Sequence, residues 1–183
     1  MMSTVVEIPT LETGRLILRG WRQADVDPMA AMFADEAATR FAGGTHDRDG
    51  AWRQMAAYAG HWALRGWGPF AVTLKQDGKT IGYCGPWDPE GKADEPEITY
   101  GLATAYHGRG YATEAVRAAL GFAHETLGWR TAVSFIDRDN HASLGVARKL
   151  GARRDGETLL YGSVAVEIWR YPDAEASGAE TAA

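Results

Sequence analysis

Residues 105–114, Ala-Tyr-His-Gly-Arg-Gly-Tyr-Ala-Thr-Glu, join an apolar stretch that ends near Thr104 to a long amphipathic stretch that begins near Ala112. Glycine adopts positive φ and has no Cβ, so a ligand can approach the main-chain amides closely here. A helix that starts at this turn presents unpaired N–H groups and a partial positive charge, which together favour an anion. Arg109 adds a full charge at the rim. The sequence therefore predicts a pyrophosphate site at this turn.

The glycine pair does not identify the ligand by itself, because Gly-x-Gly also occurs in plain strand-to-helix turns. Thr113 stands where the dinucleotide fingerprint has its third glycine, and no Gly-Lys-Ser/Thr follows as in a P-loop. The missing fingerprint, together with the missing ribose-binding acid, argues against a nucleotide-dependent oxidoreductase. The ligand therefore has to be inferred from the helices and strands around the turn.

Hydrophobic periodicity gives the order of those elements. The stripe on the helix after the turn is formed by Ala115, Val116, Ala119, Leu120 and Ala123, and Asp77-Gly78 is a strong hairpin signal. The fold class is α+β (mixed α/β), with one strand-helix-strand crossover. Strands are predicted over 11–21, 70–75, 80–84, 97–104, 130–136, 157–161 and 164–171, and helices over 23–35, 47–65, 112–127 and 141–150.

Two motifs in this order resemble the GNAT superfamily of N-acetyltransferases. The stretch 97–115 is similar to its acetyl-CoA signature, Gln/Arg-x-x-Gly-x-Gly/Ala, with His107 at the usual Gln or Arg, Gly110 as the central glycine and Ala112 as the last small residue. The stretch 140–152 matches the second signature. The opening Thr-Gly-Arg-Leu-Ile-Leu-Arg at 13–19 resembles the RimJ/RimL-type branch. The resemblance covers about residues 11–171.

The resemblance implies a central mixed, mostly antiparallel sheet flanked by about four helices, and acetyl-CoA as co-substrate. It implies that the pantetheine arm pairs with the strand at Leu102, Ala103 and Thr104, and that Asn140 and Ser143 lie near the thiol. For Asn140, a helix N-cap is the structural alternative, with Asp139 as a rival. The pyrophosphate would be bound by the amides of His107, Gly108, Arg109, Gly110, Tyr111, Ala112 and Thr113.

An amine acceptor has to lose a proton before it attacks a thioester, which requires a general base, directly or through water. Glu97 is the candidate, because many GNAT relatives have a glutamate at a similar place; a solvated strand-end carboxylate is the alternative. Ala147 occupies the position of the tyrosine that usually protonates the leaving thiolate. We therefore expect Ser143 to hydrogen-bond that thiolate.

The acceptor site is expected near the early helices and loops. Trp67, Tyr83 and Trp87 are the candidates for contacts with an amine, by cation–π interaction, whereas Trp52 and Trp62 follow a helical stripe and are expected in the core. The acceptor is a primary amine, on a small molecule or at a protein N-terminus. The competing hypothesis is a non-catalytic acyl-CoA-binding or sensor module.

Composition limits the remaining possibilities. The formal net charge is -5 with no block of basic residues, which argues against a nucleic-acid partner, and no apolar run is long enough for a membrane span. The single cysteine, Cys84, allows no internal disulfide, and no histidine spacing suggests a metal site. We expect a cytoplasmic protein with an N-terminal extension over 1–10, one acetyltransferase domain over 11–172 and a flexible tail over 173–183. A homodimer is left open.

Overall fold

The computed structural model describes residues 7–90 and 92–173. They form one eight-stranded sheet in the order β1-β2-β3-β4-β5-β6-β8-β7. Five helices accompany the sheet: α1 (Val26–Ala34), α2 (Glu36–Thr39), α3 (Arg48–Arg65), α4 (Tyr111–Glu125) and α5 (His141–Lys149). The strands are β1 (Leu11–Glu12), β2 (Leu16–Arg19), β3 (Phe70–Leu74), β4 (Thr80–Trp87), β5 (Glu97–Leu102), β6 (Val133–Ile136), β7 (Arg153–Leu160) and β8 (Val164–Arg170).

The predicted α+β class and the mixed, mostly antiparallel sheet are confirmed. All neighbouring strands pair antiparallel except β5 and β6, which are parallel. A parallel pair needs a crossover connection, and α4 provides it. The fifth helix, beyond the four expected, is the single turn α2, which is too short to leave a periodic pattern in the sequence.

Each face of the sheet has its own core. On one face α4 buries the predicted apolar stripe against strand residues such as Leu16, Val72 and Ile98. On the other face α1 and α3 bury Met29, Phe33 and Tyr58 with Tyr83 of β4. Strand alternation separates the two cores, because successive side chains of β4 point to opposite faces. The second core forms part of the wall of the candidate site.

Capping residues explain where the long helix α3 begins and ends. The Asp47 side chain accepts a hydrogen bond from the Gly50 N–H at 2.8 Å, which satisfies an amide of the first turn. Gly66 ends the helix in the left-handed conformation, at φ 76°. The predicted helix over 47–65 is confirmed. Trp62 is buried as expected, but the prediction for Trp52 is wrong: its side chain lies on the outer face and is 48% exposed.

Several predicted boundaries are corrected. The single strand over 11–21 is in fact the two strands β1 and β2, since Thr13 turns the chain by exchanging hydrogen bonds with Leu16. The strand over 97–104 ends at Leu102, and Thr104–Tyr106 form a 3-10 turn. Trp87 lies at the end of β4 and not in a loop. β7 begins four residues before the predicted start, at Arg153, with its pairing to β8 interrupted between Arg154 and Glu157.

Candidate active site

The glycine turn between β5 and α4 has the backbone geometry of an anion site. Gly108 and Gly110 have φ of 72° and 80°, the left-handed region that favours glycine, and Gly110 is the N-cap residue of α4. No atom lies within 4 Å of a Cβ built at Gly108, so the main chain is open on that side. The first N–H groups of α4, from Tyr111 onward, have no intrahelical acceptor and carry the positive end of the helix dipole.

The turn is braced from the N-terminal hairpin. The Arg15 guanidinium donates to the carbonyl oxygen of Arg109 at 2.9 Å and lies over the Tyr111 ring, 4.3 Å from its centroid. Glu114, in the first turn of α4, accepts hydrogen bonds from the Thr13 hydroxyl at 2.6 Å and from the Arg15 N–H and Nε at 2.7 Å each. We call Thr13, Arg15 and Glu114 the hairpin clamp. It fixes where α4 starts.

The hairpin clamp holds Glu114 in its ionised form. Burial opposes it, but the hydrogen bonds from Thr13 and Arg15 outweigh burial and hold the pKa of the Glu114 carboxyl below its ordinary value. The carboxylate is therefore charged at neutral pH. It also lies in the first turn of α4, where a negative charge interacts favourably with the helix dipole.

The other end of the turn is tied to β5. The Nε2 atom of His107 lies 2.8 Å from the Leu102 carbonyl oxygen. Nearby, the Ala103 N–H donates to the Ile81 carbonyl oxygen at 2.9 Å. Thr104 contacts Asp35 through its hydroxyl. Of the three residues predicted to pair with a pantetheine arm, only Leu102 belongs to the strand, because the chain turns after Ala103.

A cavity of about 490 Å³ runs from the glycine turn along α5, and we call it the turn cavity. Ligand pockets are typically about 300–1,000 Å³ in volume, so this cavity is of ligand size. Its walls combine the turn with the N-terminal half of α5. The lining residues that were also predicted to bind the cofactor are Leu102, His107, Gly108, Gly110, Tyr111, Ala112, Thr113, Asn140 and Ser143.

A second cavity of about 580 Å³ lies next to the first, along the N-terminal part of β5, and we call it the aromatic cavity. Its wall includes Phe33, Tyr58, Tyr83 and Trp87, whose rings contact one another: Tyr58 lies 5.0 Å from both Tyr83 and Trp87 between ring centroids. Burial raises the pKa of Tyr83 to about 12, so its hydroxyl stays protonated at neutral pH. The two cavities share Phe41, Ala42, Tyr100, Asn140 and Ser143.

The two cavities meet where β5 and β6 diverge. The register between these strands has a single pair, Glu97 and Val133. Beyond it, the Ser134 hydroxyl bridges the strands by donating to the Ile98 carbonyl oxygen at 2.6 Å, and Tyr171 contacts the same hydroxyl at 3.0 Å. Backbone groups of β5 that face the widening gap are therefore available to a ligand that pairs with the strand.

Glu97 lies at the closed end of this gap. It is 3% exposed, so the alternative of a solvated strand-end carboxylate is wrong. One carboxylate oxygen forms an ion pair with Lys92, and the other accepts a hydrogen bond from the Phe135 N–H of β6 at 3.3 Å. Both Glu97 and Lys92 line the aromatic cavity. The site thus contains a carboxylate that is paired with a lysine and shielded from bulk water.

Asn140 and Ser143 lie together at the start of α5. Asn140 is the N-cap, not Asp139, and its Oδ1 accepts a hydrogen bond from the Ser143 N–H at 3.1 Å. The Tyr100 hydroxyl donates to the Ser143 carbonyl oxygen at 3.3 Å. These three residues, together with Phe41 and Ala42, form the border that both cavities share. Ala147, one turn further along α5, is fully buried in the core.

This geometry, a glycine turn and a polar border at a sheet gap, agrees with the comparison with known families. The model of the acetyltransferase (GNAT) domain matches residues 15–153. The chain belongs to the GNAT acetyltransferase family. It is an acyltransferase, and enzymes of this GNAT family take the acetyl group that they transfer from acetyl-CoA.

Individual GNAT proteins are similar over most of the chain. The uncharacterized N-acetyltransferase p20 of Bacillus licheniformis is 26% identical over 149 residues, which are 80% of this chain and 84% of that protein. The acetyltransferase of Agrobacterium tumefaciens str. C58 superimposes with a TM-score of 0.81 at 29% identity, covering 93% of this chain and 98% of that one. RimL, the ribosomal L7/L12 alpha-N-protein acetyltransferase, shares the fold with a TM-score of 0.71 at 17% identity, covering 90% and 94%.

The three predicted acceptor aromatics separate in this GNAT structure. Tyr83 and Trp87 line the aromatic cavity, whereas Trp67 lines neither cavity. The Trp67 ring packs 4.6 Å from His61 and 5.4 Å from Trp129 between centroids, on the edge of the α4 core. Cys84 is buried in β4, and burial raises the pKa of its thiol, so it is a packing residue.

Two residues of the site were missed from the sequence. Lys92 belongs to a charged loop after Trp87, where nothing in the pattern marks one lysine as buried. Tyr100 was predicted only as part of the strand over 97–104, with no role in the site. In the described residues, no group of three or more His, Cys, Asp or Glu side chains could hold a metal ion, and no helix is long and apolar enough to cross a membrane.

Proposed function

We propose that this protein transfers the acetyl group of acetyl-CoA to a primary amine by direct attack in a ternary complex. The observation that carries the proposal is the meeting of the two cavities at Tyr100, Asn140 and Ser143. One cavity ends at a turn suited to a pyrophosphate, and the other contains a buried carboxylate. A donor in the first cavity and an acceptor in the second would bring their reacting atoms together at this border.

Acetyl-CoA fits the residues of the turn cavity. The main-chain amides from Gly108 to Thr113, with Arg109 at the rim, would bind the pyrophosphate, since the His107 N–H already donates to the Thr104 carbonyl oxygen. The pantetheine arm would pair with the end of β5 at Leu102, where the strand faces the gap, rather than as far along as Thr104. Asn140 and Ser143 would lie beside the thioester, which supplies an activated acetyl group for transfer.

The acceptor amine would bind in the aromatic cavity, with Tyr83 and Trp87 against its cationic form. Glu97 would take a proton from the ammonium, directly or through a water, because a protonated amine has no lone pair for attack. The amine nitrogen then bonds to the acetyl carbon. Negative charge that develops on the carbonyl oxygen would be stabilised by N–H groups of β5 at the gap.

Cleavage of the carbon–sulfur bond leaves a thiolate that takes a hydrogen bond from Ser143. A thiol has an ordinary pKa of about 8.5, so a strong acid is not required to stabilise the leaving group. This assignment agrees with Ala147 at the position where other GNAT enzymes have a tyrosine. The Tyr100 hydroxyl, which contacts the same residue, is the second donor at the border.

We assign the protein to the RimJ/RimL-type branch, with one catalytic domain over 11–172 and a cytoplasmic location. The stretch 13–19 supports the branch, because Thr13 and Arg15 of that stretch hold the glycine turn through the hairpin clamp. Acceptors of this branch would include protein N-termini, and small amines are the other class that the aromatic cavity could take.

A thiol-release assay with acetyl-CoA and a panel of amines, including a peptide that starts with Ala, tests the proposal. We expect turnover with at least one amine and loss of about 100-fold or more in Glu97→Gln, as for removal of a general base. Glu95→Gln is the matched control, since Glu95 lies two residues away and pairs with Arg170 at the surface. Binding of acetyl-CoA without turnover on any amine would favour the sensor hypothesis.

A further inference from the structure

Lys92 is held in the aromatic cavity by its main chain. Its N–H donates to the Pro89 carbonyl oxygen at 3.3 Å, and its carbonyl oxygen accepts from the Tyr161 N–H at 2.9 Å. The second bond ties the loop between β4 and β5 to the turn between β7 and β8. Tyr161 has a φ of 50°, which is uncommon for a residue with a side chain and shows how tight that turn is.

The Lys92 ammonium occupies the place on Glu97 that an acceptor amine would need. Its side chain is 13% exposed and that of Glu97 is 4% exposed, so the ion pair is shielded from water. The other lysines of the chain differ from it. Lys75, Lys79 and Lys149 are exposed, and Lys75 pairs with Glu12 at the surface.

We propose that Lys92 is an internal acceptor, which the enzyme acetylates on Nζ when no other amine fills the aromatic cavity. The proposal rests on the proposed function, since it uses the same base and the same acetyl donor. Lys92 lines the same cavity as Tyr100, Asn140 and Ser143, the border at which the thioester would lie. A flexible four-carbon stem lets the amine leave the carboxylate and approach that border.

The reaction balances with the groups at hand. Glu97 accepts a proton from the Lys92 ammonium, and the nitrogen lone pair forms a bond to the acetyl carbon while the carbon–sulfur bond breaks. The sulfur leaves with the bonding electrons and takes up a proton from solvent, so that CoA is released as the free thiol, and Glu97 returns its proton to solvent. The lysine loses its second proton to solvent and becomes a neutral Nε-acetyl-lysine. No oxidant, reductant or further reactant takes part.

Acetylation would change the site that performs it. The amide product has no positive charge, so Glu97 loses its counter-ion in a shielded position, where an unpaired charge is costly. The modified lysine also no longer competes for the carboxylate. Acetylation of Lys92 therefore makes the availability of the general base, Glu97, depend on how much acceptor amine was recently present.

The experiment uses the full chain with acetyl-CoA and no added amine, followed by intact mass and peptide mapping over time. We expect one acetyl group on Lys92, added at least about tenfold faster than on Lys75 or Lys79, because the amine is held in the site. Lys75 and Lys79, which line neither cavity, report direct acetylation by acetyl-CoA in the same sample. The rate per chain should not depend on protein concentration, and an accepted amine at saturation should suppress it.

Three variants separate acetylation by the active site from simple chemical reactivity of the lysine. Glu97→Gln should remove the preference for Lys92, whereas Glu95→Gln should retain it; acetyl-CoA binding and circular dichroism establish that both are folded. Lys92→Arg keeps a positive charge beside Glu97 but should remain unmodified at that position. Labelling of Lys92 no faster than of the exposed lysines, or a rate that rises with protein concentration, would overturn the proposal.

The same preparation, assayed with the amine panel, tells the two proposals apart. Turnover of an external amine without acetyl-Lys92 refutes the internal acceptor and leaves the acetyltransferase activity standing. Acetyl-Lys92 that needs Glu97, with no turnover on the panel, supports the internal acceptor and identifies the panel as lacking the right amine. If the protein binds acetyl-CoA but neither reaction is observed, the result contradicts both the proposed function and the internal acceptor.

Discussion

Arg15 and Arg109 are 94 residues apart in the chain, yet the guanidinium of the first donates a hydrogen bond to the carbonyl oxygen of the second at 2.9 Å. The same guanidinium pairs with Glu114 in the first turn of α4. A turn built around two glycines has many accessible conformations, and these contacts select one of them. The N-terminal hairpin thus preorganises the predicted pyrophosphate site.

Removal of the Arg15 side chain should weaken binding of acetyl-CoA more than it slows catalysis. We expect Arg15→Ala to raise the KM for acetyl-CoA about tenfold, the effect of losing one charge-assisted hydrogen bond, with kcat at saturation changed less. Steady-state kinetics and calorimetric binding measure this. Arg53→Ala is the control, because Arg53 pairs with Asp49 on an exposed helix face. An equal loss in kcat and no change in KM would contradict the role.

Acid should release the hairpin clamp. The folded-state pKa of Glu114 lies below its ordinary value of 4.5, so its stabilising contribution is complete above that pH and is lost as the pH falls through the folded-state pKa. We expect the free energy of unfolding to decline over this acid range, and less so in Glu114→Gln, which lacks the carboxylate. Denaturant unfolding at a series of pH values measures the difference. If the free energy of unfolding fell equally with pH in the two proteins, the Glu114 carboxylate would make no such contribution.

Gly110→Asp should abolish acetyl-CoA binding, because it adds a side chain and a negative charge where the pyrophosphate would lie. Gly78→Asp is a matched control: Gly78 has a similar φ of 71°, and nothing lies within 4 Å of its Cβ position. Both changes carry the same backbone strain of about 1–2 kcal/mol, but only one adds charge at the turn. Retained affinity in Gly110→Asp, measured by calorimetry, would mean that the pyrophosphate binds elsewhere.

Gly101 of β5 gives the Tyr83 ring its place in the aromatic cavity. A Cβ at Gly101 would come within 2.7 Å of that ring, so Gly101→Ala has to displace Tyr83. We expect the acceptor KM to rise about three- to tenfold, with unchanged affinity for acetyl-CoA, as the cavity wall shifts. The double variant Gly101→Ala/Tyr83→Ala should show no further loss from the alanine at 101. If the effects of the two changes on the acceptor KM were additive, the contact between Gly101 and the Tyr83 ring would not be what shapes the cavity.

The two hydroxyls at the cavity border can be told apart by single changes. We expect Ser143→Ala to lower kcat about tenfold, since it removes the proposed hydrogen bond to the leaving thiolate. Tyr100→Phe removes only the bond to the Ser143 carbonyl oxygen and should cost less. Burial raises the pKa of the Tyr100 hydroxyl, which makes it a poorer proton donor than an ordinary tyrosine. A larger loss of kcat in Tyr100→Phe would exchange the two roles.

Local patterns were sufficient for most of the fold. The apolar stripe of α4, the extent of α3 and the Asp77-Gly78 hairpin follow from spacing and turn chemistry, and each is confirmed. Boundaries failed where a tertiary contact overrides the pattern. Thr13 splits the first strand because its side chain bonds both Leu16 and the distant Glu114.

The candidate site was only partly predictable, for a related reason. The turn, Asn140 and Ser143 are local motifs, and a sequence displays them directly. The burial of Lys92 depends on the Tyr161 N–H of a hairpin 69 positions later, and no local pattern encodes such a contact. Trp52 was misassigned because a helical stripe gives the period of a buried face but not how wide that face is.

The sheet is weakest between β5 and β6, which are joined by a single residue pair. In the chain, these two strands are the ones separated by α4. Every strand before α4 lies on one side of that boundary, and every strand after α4 lies on the other. A cut in the connection at 126–132 would therefore produce two contiguous fragments, each with all the strands of its own half-sheet. Such fragments suit a split-enzyme reporter, in which acetyl transfer returns only when two fused partners bring the halves together.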